Sequence, residues 1–194
     1  MPIANHASDG TLWHQFRNGD ENSFETIFVK YYSDLFNYGQ KFTPDHQIVE
    51  DAIQDLFIDL WRTKGKADIL SLKAYLFTSF KFKLAKALSK AGKARDVISG
   101  MQIKEFEISH ESFLINEQED HDLKQKVFRA VNELSPRQKE VIYLKFHQNL
   151  SYEEVSEVMN INYQAARNLI YHAIKVLKKI VTVQILLTLL LQHA

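Results

Sequence analysis

Apolar residues recur three or four positions apart along most of the chain, the period of helices with one buried face. No run alternates with period two between turn residues, so the pattern predicts an all-α fold without a sheet. A short amphipathic helix spans residues 12–18, and Gly19-Asp20-Glu21 ends it and starts the next. There Phe24, Ile27, Phe28, Tyr31, Leu35 and Phe36 keep the spacing of a buried stripe and read as core. Thr43-Pro44-Asp45 forms a loop and helix start, with Pro placed where a missing N–H costs least. The helix that follows, VEDAIQDLFIDLWRTKG, turns Val49, Ile53, Leu56, Phe57 and Leu60 inward. Its other face carries Glu50, Asp51, Gln54, Asp55 and Asp59 and ends in Trp61, with Gly65 closing the helix near Arg62, Lys64 and Lys66. Ser71 caps SLKAYLFTSFKFKLAKALSK, where Leu72, Leu76, Phe80, Leu84, Ala87 and Leu88 form the inward stripe.

The period then fails from Gly92 to about Glu119, which reads as an acidic linker, long for a loop within one compact domain. It resumes at Asp120 with Leu123, Val127, Val131 and Leu134 facing inward. Ser135-Pro136 starts another helix with Pro at its first position and Val141, Ile142, Leu144 and Phe146 as core. Residues 150–179 are two helices joined by a tight turn. Ser151 and Glu154 make a capping box, Val155, Val158 and Met159 an apolar face, and Asn160-Ile161-Asn162 the turn. Beyond it Ala166, Leu169, Ile170, Ala173, Ile174 and Leu177 form one stripe, while Arg167, Asn168, Tyr171, His172 and Lys175 face elsewhere. This is the layout of a helix-turn-helix, its second helix available for a DNA groove. The remaining IVTVQILLTLLLQHA is apolar nearly all round but shorter than the roughly 20 residues of a membrane-spanning helix. It reads as a helix extension packed on the protein or on a partner. The expected organisation is thus a helical domain over residues 1–92, a flexible acidic linker over 93–120, a helix-turn-helix domain over 121–179 and an apolar tail over 180–194.

Composition sharpens this picture mainly through the placement of charge. The 24 Lys and Arg balance the 24 Asp and Glu, an unusual total for a nucleic-acid binder. The balance conceals segregation: Lys73 to Arg95 holds seven basic residues and no acidic one, and Glu105 to Asp122 holds seven acidic residues and no basic one. Between Ile161 and Ile180 lie Arg167, Lys175, Lys178 and Lys179 and no acid, so that helix approaches phosphate without repulsion. On the 71–90 helix, Tyr75, Ser79, Phe82, Lys86 and Lys90 share a face with Lys81 and Lys83 beside Phe82. Aromatics interleaved with Lys suit unpaired bases, each stack being worth about 1–3 kcal/mol; the same aromatics equally suit contact with a neighbouring helix. The acidic face ending in Trp61 suits docking on a partner, or simply solvent beside a core Trp. The absence of Cys rules out thiolate metal sites and thiol nucleophiles and fits a reducing compartment. The polar start MPIANHASDG lacks the features of a secretory signal, so the expected location is the cytoplasm. The eight His show no close metal-ligand pairing, and neither a Gly-rich phosphate loop nor a nucleophile motif occurs, so neither an enzyme nor a cofactor is expected.

With both halves read, the order of motifs resembles the small sigma factors of bacterial RNA polymerase, of the extracytoplasmic-function type. RNGDENSFETIFVKYYSDLFNYG followed by EDAIQDLFIDLW is similar to the family's region-two module, and ELSPRQKEVIYLKF with LSYEEVSEVMNI and its partner helix is similar to region four. The resemblance implies that Asp51, Gln54, Asp55, Phe57, Ile58 and Trp61 bind the clamp coiled coil of the polymerase's largest subunit. It implies that Tyr75, Lys81, Phe82, Lys83, Lys86 and Lys90 grip the upstream promoter element and hold a flipped non-template base. Tyr163, Gln164, Arg167, Asn168, Tyr171, His172 and Lys175 would enter the major groove of the more distant element. The acidic linker would thread the polymerase near the RNA exit path. The implied partners are core RNA polymerase, promoter DNA and an anti-sigma factor, with no membrane span.

This chain departs from the usual pattern in two places. The recognition helix commonly repeats Arg; here Arg167 remains, but Leu169, His172 and Ile174 stand among the other positions. In the upstream-element helix the usual Asn and Asp give way to Phe82 and Lys86. The implied function is a promoter-specificity subunit that aids strand opening. The alternative is an operator-binding regulator independent of polymerase, which would not require the helix from Asp51 to Trp61.

Overall fold

Four short polar side chains open the four helices of the first unit. Ser8 accepts from the Thr11 N–H at 3.2 Å and Asp20 from Ser23 at 3.0 Å, while Asp45 accepts from Ile48 at 3.3 Å and Ser71 from Ala74 at 3.2 Å. Each cap satisfies a donor that the first helical turn leaves without a partner. The helices are α1 (Asp9–Arg17), α2 (Glu21–Gly39), α3 (His46–Thr63) and α4 (Leu72–Lys90). The computed structural model describes residues 8–64, 69, 71–92, 106–108 and 121–192, with backbone alone for 121–126 and 180–192. Among the described residues every regular element is helical. The chain divides into two compact units near Ile103.

Two helix ends in the first unit differ from expectation. Pro44 lies just outside α3, because the Asp45 side chain is the better cap. Lys64, at φ 50°, takes the left-handed closing position expected of Gly65, which lies outside the described residues. Gly19 does end α1, at φ 94°.

Phe16, Ile27, Leu35, Tyr38, Leu56 and Phe80 are among the large side chains at the centre of this unit. Gly39 sets how closely α2 approaches its neighbours. A Cβ there would lie 2.6 Å from Val49 Cγ1 and 2.8 Å from Phe80 Cζ. Gly39→Ala gains at most about 1 kcal/mol of helix propensity, but overpacking costs about 1–3 kcal/mol. The net expectation is a thermal midpoint about 5 °C lower or more for this unit, checked by a melt followed by circular dichroism.

The second unit contains α5 (His121–Asn132), α6 (Pro136–Ile142), α7 (Tyr152–Val158) and α8 (Tyr163–Gln192), with a π-helical turn at Tyr143–His147 continuing α6. The expected capping box at Ser151 forms, and the helix start at Ser135 is a second one. The Ser135 hydroxyl accepts from Gln138 N–H at 3.3 Å while Gln138 Oε1 accepts from Ser135 N–H at 3.0 Å. Glu154 accepts from Ser151 N–H at 2.6 Å and Ser151 Oγ from Glu154 N–H at 3.1 Å.

The π turn overturns one core assignment. Its wider winding, with Gln148 N–H donating to Tyr143 C=O at 3.0 Å, rotates the following side chains. Tyr143 and Leu144 are buried, Ile142 is half-buried, and Phe146 is 56% exposed rather than core.

Within the stretch expected to be a linker, the described residues are Phe106, Glu107 and Ile108. Phe106 is 1% exposed and its ring lies 5.7 Å from that of Tyr143. Ile108 is buried as well and Glu107 between them is exposed, the alternation of an extended segment laid on a surface. This part of the acidic run is therefore packed on the second unit.

The turn between α7 and α8 follows the expected chemistry, with Asn160 left-handed at φ 49° and Asn162 Oδ1 accepting from Ala165 N–H at 2.7 Å. Val155, Val158, Met159, Ala166, Ile170 and Ala173 are buried, while Leu169, Ile174 and Leu177 are half-buried. α8 packs on α5 and α6. It continues unbroken through the apolar tail to Gln192, a length of about 45 Å. None of the described helices is long and apolar enough to cross a membrane.

Candidate polymerase- and DNA-binding surfaces

Two parallel apolar rows on α2 create the first surface. Ile27, Tyr31 and Leu35 form the buried row. Phe24, Phe28, Tyr32 and Phe36, each four residues from the last, form a second row displaced around the helix, and none of them is fully buried. With α3 the second row makes an open groove of about 810 Å³ lined by Phe24, Phe28, Tyr32, Ile53, Phe57, Ile58 and Trp61, with Glu21, Glu50, Gln54 and Arg62 supplying its polar lining. Aromatic contacts hold its walls: Phe24 lies 5.0 Å from Trp61, and Phe28 lies 4.9 Å from Phe57 edge-on.

Of the residues expected to bind polymerase, Gln54, Phe57, Ile58 and Trp61 line this groove. Phe57 is its buried floor, Trp61 is half-buried and Ile58 is 54% exposed. Asp51 and Asp55 are exposed on the same helix outside the groove, Asp51 accepting from Gln47 at 2.8 Å. The α2 contribution was missed, because Phe24 and Phe28 read as core. A second aromatic row beside an already sufficient core row was the available signal.

The Lys-rich face of α4 is smaller than its sequence suggests. Tyr75 is half-buried with its ring 5.7 Å from Trp13, so it serves the α1 contact. Lys81 is only 3% exposed, with its ammonium 6.0 Å from the centre of the Phe42 ring. Lys83 donates to Asp59 at 2.5 Å, and Asp59 also accepts from Arg62 at 2.8 Å. The Lys83 hydrogen bond holds the Asp59 carboxyl below the usual carboxylate range. Asp59, read as part of the outer acidic face, therefore ties α3 to α4. Of the α4 residues expected to meet DNA, Phe82, at 50%, Lys86 and Lys90 are exposed, one aromatic and two ammonium groups.

The residues expected to enter the more distant element agree in full with expectation as to exposure. Tyr163, Gln164, Arg167, Asn168, Tyr171, His172 and Lys175 are all exposed on α8. The Arg167 guanidinium lies 5.8 Å from the centre of the Tyr163 ring. Gln164 Nε2 donates to Asn168 Oδ1 at 3.0 Å. No acid interrupts this face, since α8 contains none.

The chain matches two family models, Sigma-70 region 2 over residues 27–94 and Sigma-70, region 4 over residues 124–177. Together they take in well over half of its length. Among solved structures it is similar to CnrH, solved in complex with the cytosolic domain of CnrY. That pair shares 19% identity and a TM-score of 0.58, covering 90% of this chain and 97% of the other. It is also similar to the sigma factor RpoE of Bartonella quintana, solved with the anti-sigma factor NepR, at 23% identity and a TM-score of 0.57, covering 84% of this chain and 98% of the other. At these identities the structural likeness is one of fold. No curated protein matches the chain. An operator-binding regulator is not favoured, since it would account for the region 4 match and leave the region 2 match without a role. The chain belongs to the sigma-70 family, as a sigma factor that binds core RNA polymerase through its paired modules and directs it to promoter DNA.

Proposed function

We propose that the groove between α2 and α3 receives the clamp coiled coil of the polymerase's largest subunit. Ile58, Phe28 and Trp61 would be its apolar contacts, with Gln54, Asp51 and Asp55 as a polar rim. The observation that carries this reading is the exposure of large apolar groups in one concave patch, as interface cores require. Phe82, Lys86 and Lys90 take the upstream promoter element, the ring stacking on an unpaired base while the ammonium groups meet phosphates. The exposed face of α8 enters the major groove of the more distant element. The acidic run, held to the second unit at Phe106 and Ile108, lies near the RNA exit path, where carboxylates occupy space shaped for nucleic acid. No covalent chemistry is required of the chain: binding energy opens the strands. It acts in the cytoplasm, and an anti-sigma factor competes for the same polymerase-binding groove.

The test is reconstitution. Purified chain mixed with core polymerase should co-elute and should direct transcription from a defined subset of genomic templates. Start sites mapped on those templates should share two elements a fixed distance apart. Failure to co-elute while still binding duplex DNA would return the operator-binding reading.

A further inference from the structure

We propose that Gln164 and Asn168 act as a paired amide reader that selects an adenine in the distant promoter element. This rests on the reading that α8 enters the major groove. The two residues stand at the N-terminal end of that helix, where a recognition helix presents its side chains to base edges. Both are exposed, and around the helix Gln164 falls in the middle of the arc running from Tyr163 to His172.

Their mutual hydrogen bond of 3.0 Å is what makes them more than two polar surface residues. It spends one N–H and one carbonyl lone pair, and it fixes the orientation of both amide planes. Gln164 keeps its second N–H and its own carbonyl oxygen for a base edge. Adenine offers the complementary pair in the major groove, the N7 acceptor and the N6 donor, and no other base presents both. An amide held in place before binding loses less side-chain freedom on docking than a free Gln would. The Arg167 guanidinium, lying 5.8 Å from the Tyr163 ring centre, and Lys175 further along the same face contribute attraction to the polyanion.

The experiment is transcription by core polymerase with the full chain on a template library whose distant element is randomised, with transcripts sequenced. The wild type should prefer adenine at one position by about 5- to 150-fold. Gln164→Ala and Asn168→Ala should each lose most of that preference and keep the preferences at other positions. Gln164→Glu replaces the donor by an acceptor and should move the preference at that position toward cytosine, whose exocyclic amine a carboxylate accepts from. Unchanged adenine preference in both Ala variants would overturn the assignment, as would a loss spread evenly over all positions. The Arg167→Ala/Lys175→Ala double variant separates the two layers. If it binds promoter as the wild type does, α8 is not on DNA and the groove reading falls together with the amide pair. If it binds weakly while both amide variants keep their adenine preference, only the adenine assignment falls.

Discussion

Ile58→Asp is expected to weaken binding to core polymerase by about 100-fold or more without altering the melt of the free chain. Ile58 is 54% exposed, so little native packing is lost when it is replaced. In a docked groove its remaining surface is covered by apolar groups. Truncation to Ala should therefore cost about 1–1.5 kcal/mol of affinity, close to tenfold. A carboxylate at the same place is left uncompensated, because Glu21 and Glu50 in the lining repel it and the Arg62 guanidinium there already donates to Asp59. Its desolvation adds about 1–3 kcal/mol or more to the lost contact. The control is Val29→Asp, on α2 but outside the groove and 69% exposed, which should leave affinity unchanged. Titration of labelled core polymerase measures both. Equal losses from the two variants, or none from Ile58→Asp, would remove the groove from the binding surface.

What local chemistry determines was legible in the sequence. A cap needs only a Ser or Asp and a free N–H three residues on, so the starts at Ser71, Ser135 and Ser151 could be read directly. The exposed face of α8 follows from period alone, because one regular helix has only one way to divide its residues between core and solvent. The errors lie where distant residues decide. Lys83 looks like a DNA contact until Asp59, 24 positions earlier, is found bound to it. Lys81 looks exposed because a long stem with a charged tip gives no sign in sequence that a ring such as Phe42 lies beside it. Phe28 looks like core because periodicity reports that a residue is apolar, not which partner covers it. The folded chain shows the Ile27, Tyr31 and Leu35 row filling the core without it.

The same distinction yields the second large effect, in which two phenylalanines exchange the roles their sequence positions suggest. Phe106 sits in an acidic run without helical period, and Phe146 sits in what looks like the apolar stripe of a helix. The π turn at Tyr143–His147 inverts them. The extra residue per turn carries Phe146 out to solvent and leaves the Tyr143 ring buried, where Phe106 meets it at 5.7 Å. Phe106→Ala removes a side chain only 1% exposed and should destabilise the second unit by about 3 kcal/mol. For a unit of this size that is a fall of about 12 °C or more in thermal midpoint. Phe146→Ala should stay within about 0.5 kcal/mol of the wild type, the range of ordinary surface substitutions. Calorimetry of the full chain separates the two outcomes, and amide exchange at Glu107 and Ile108 locates the change. Should Phe146→Ala prove the costly substitution and Phe106→Ala the silent one, the acidic run would be a free tether and the turn an ordinary α-helix. Should the expected order hold, the segment 106–108 is fastened to the second unit by aromatic packing, with Glu107 exposed between two buried side chains.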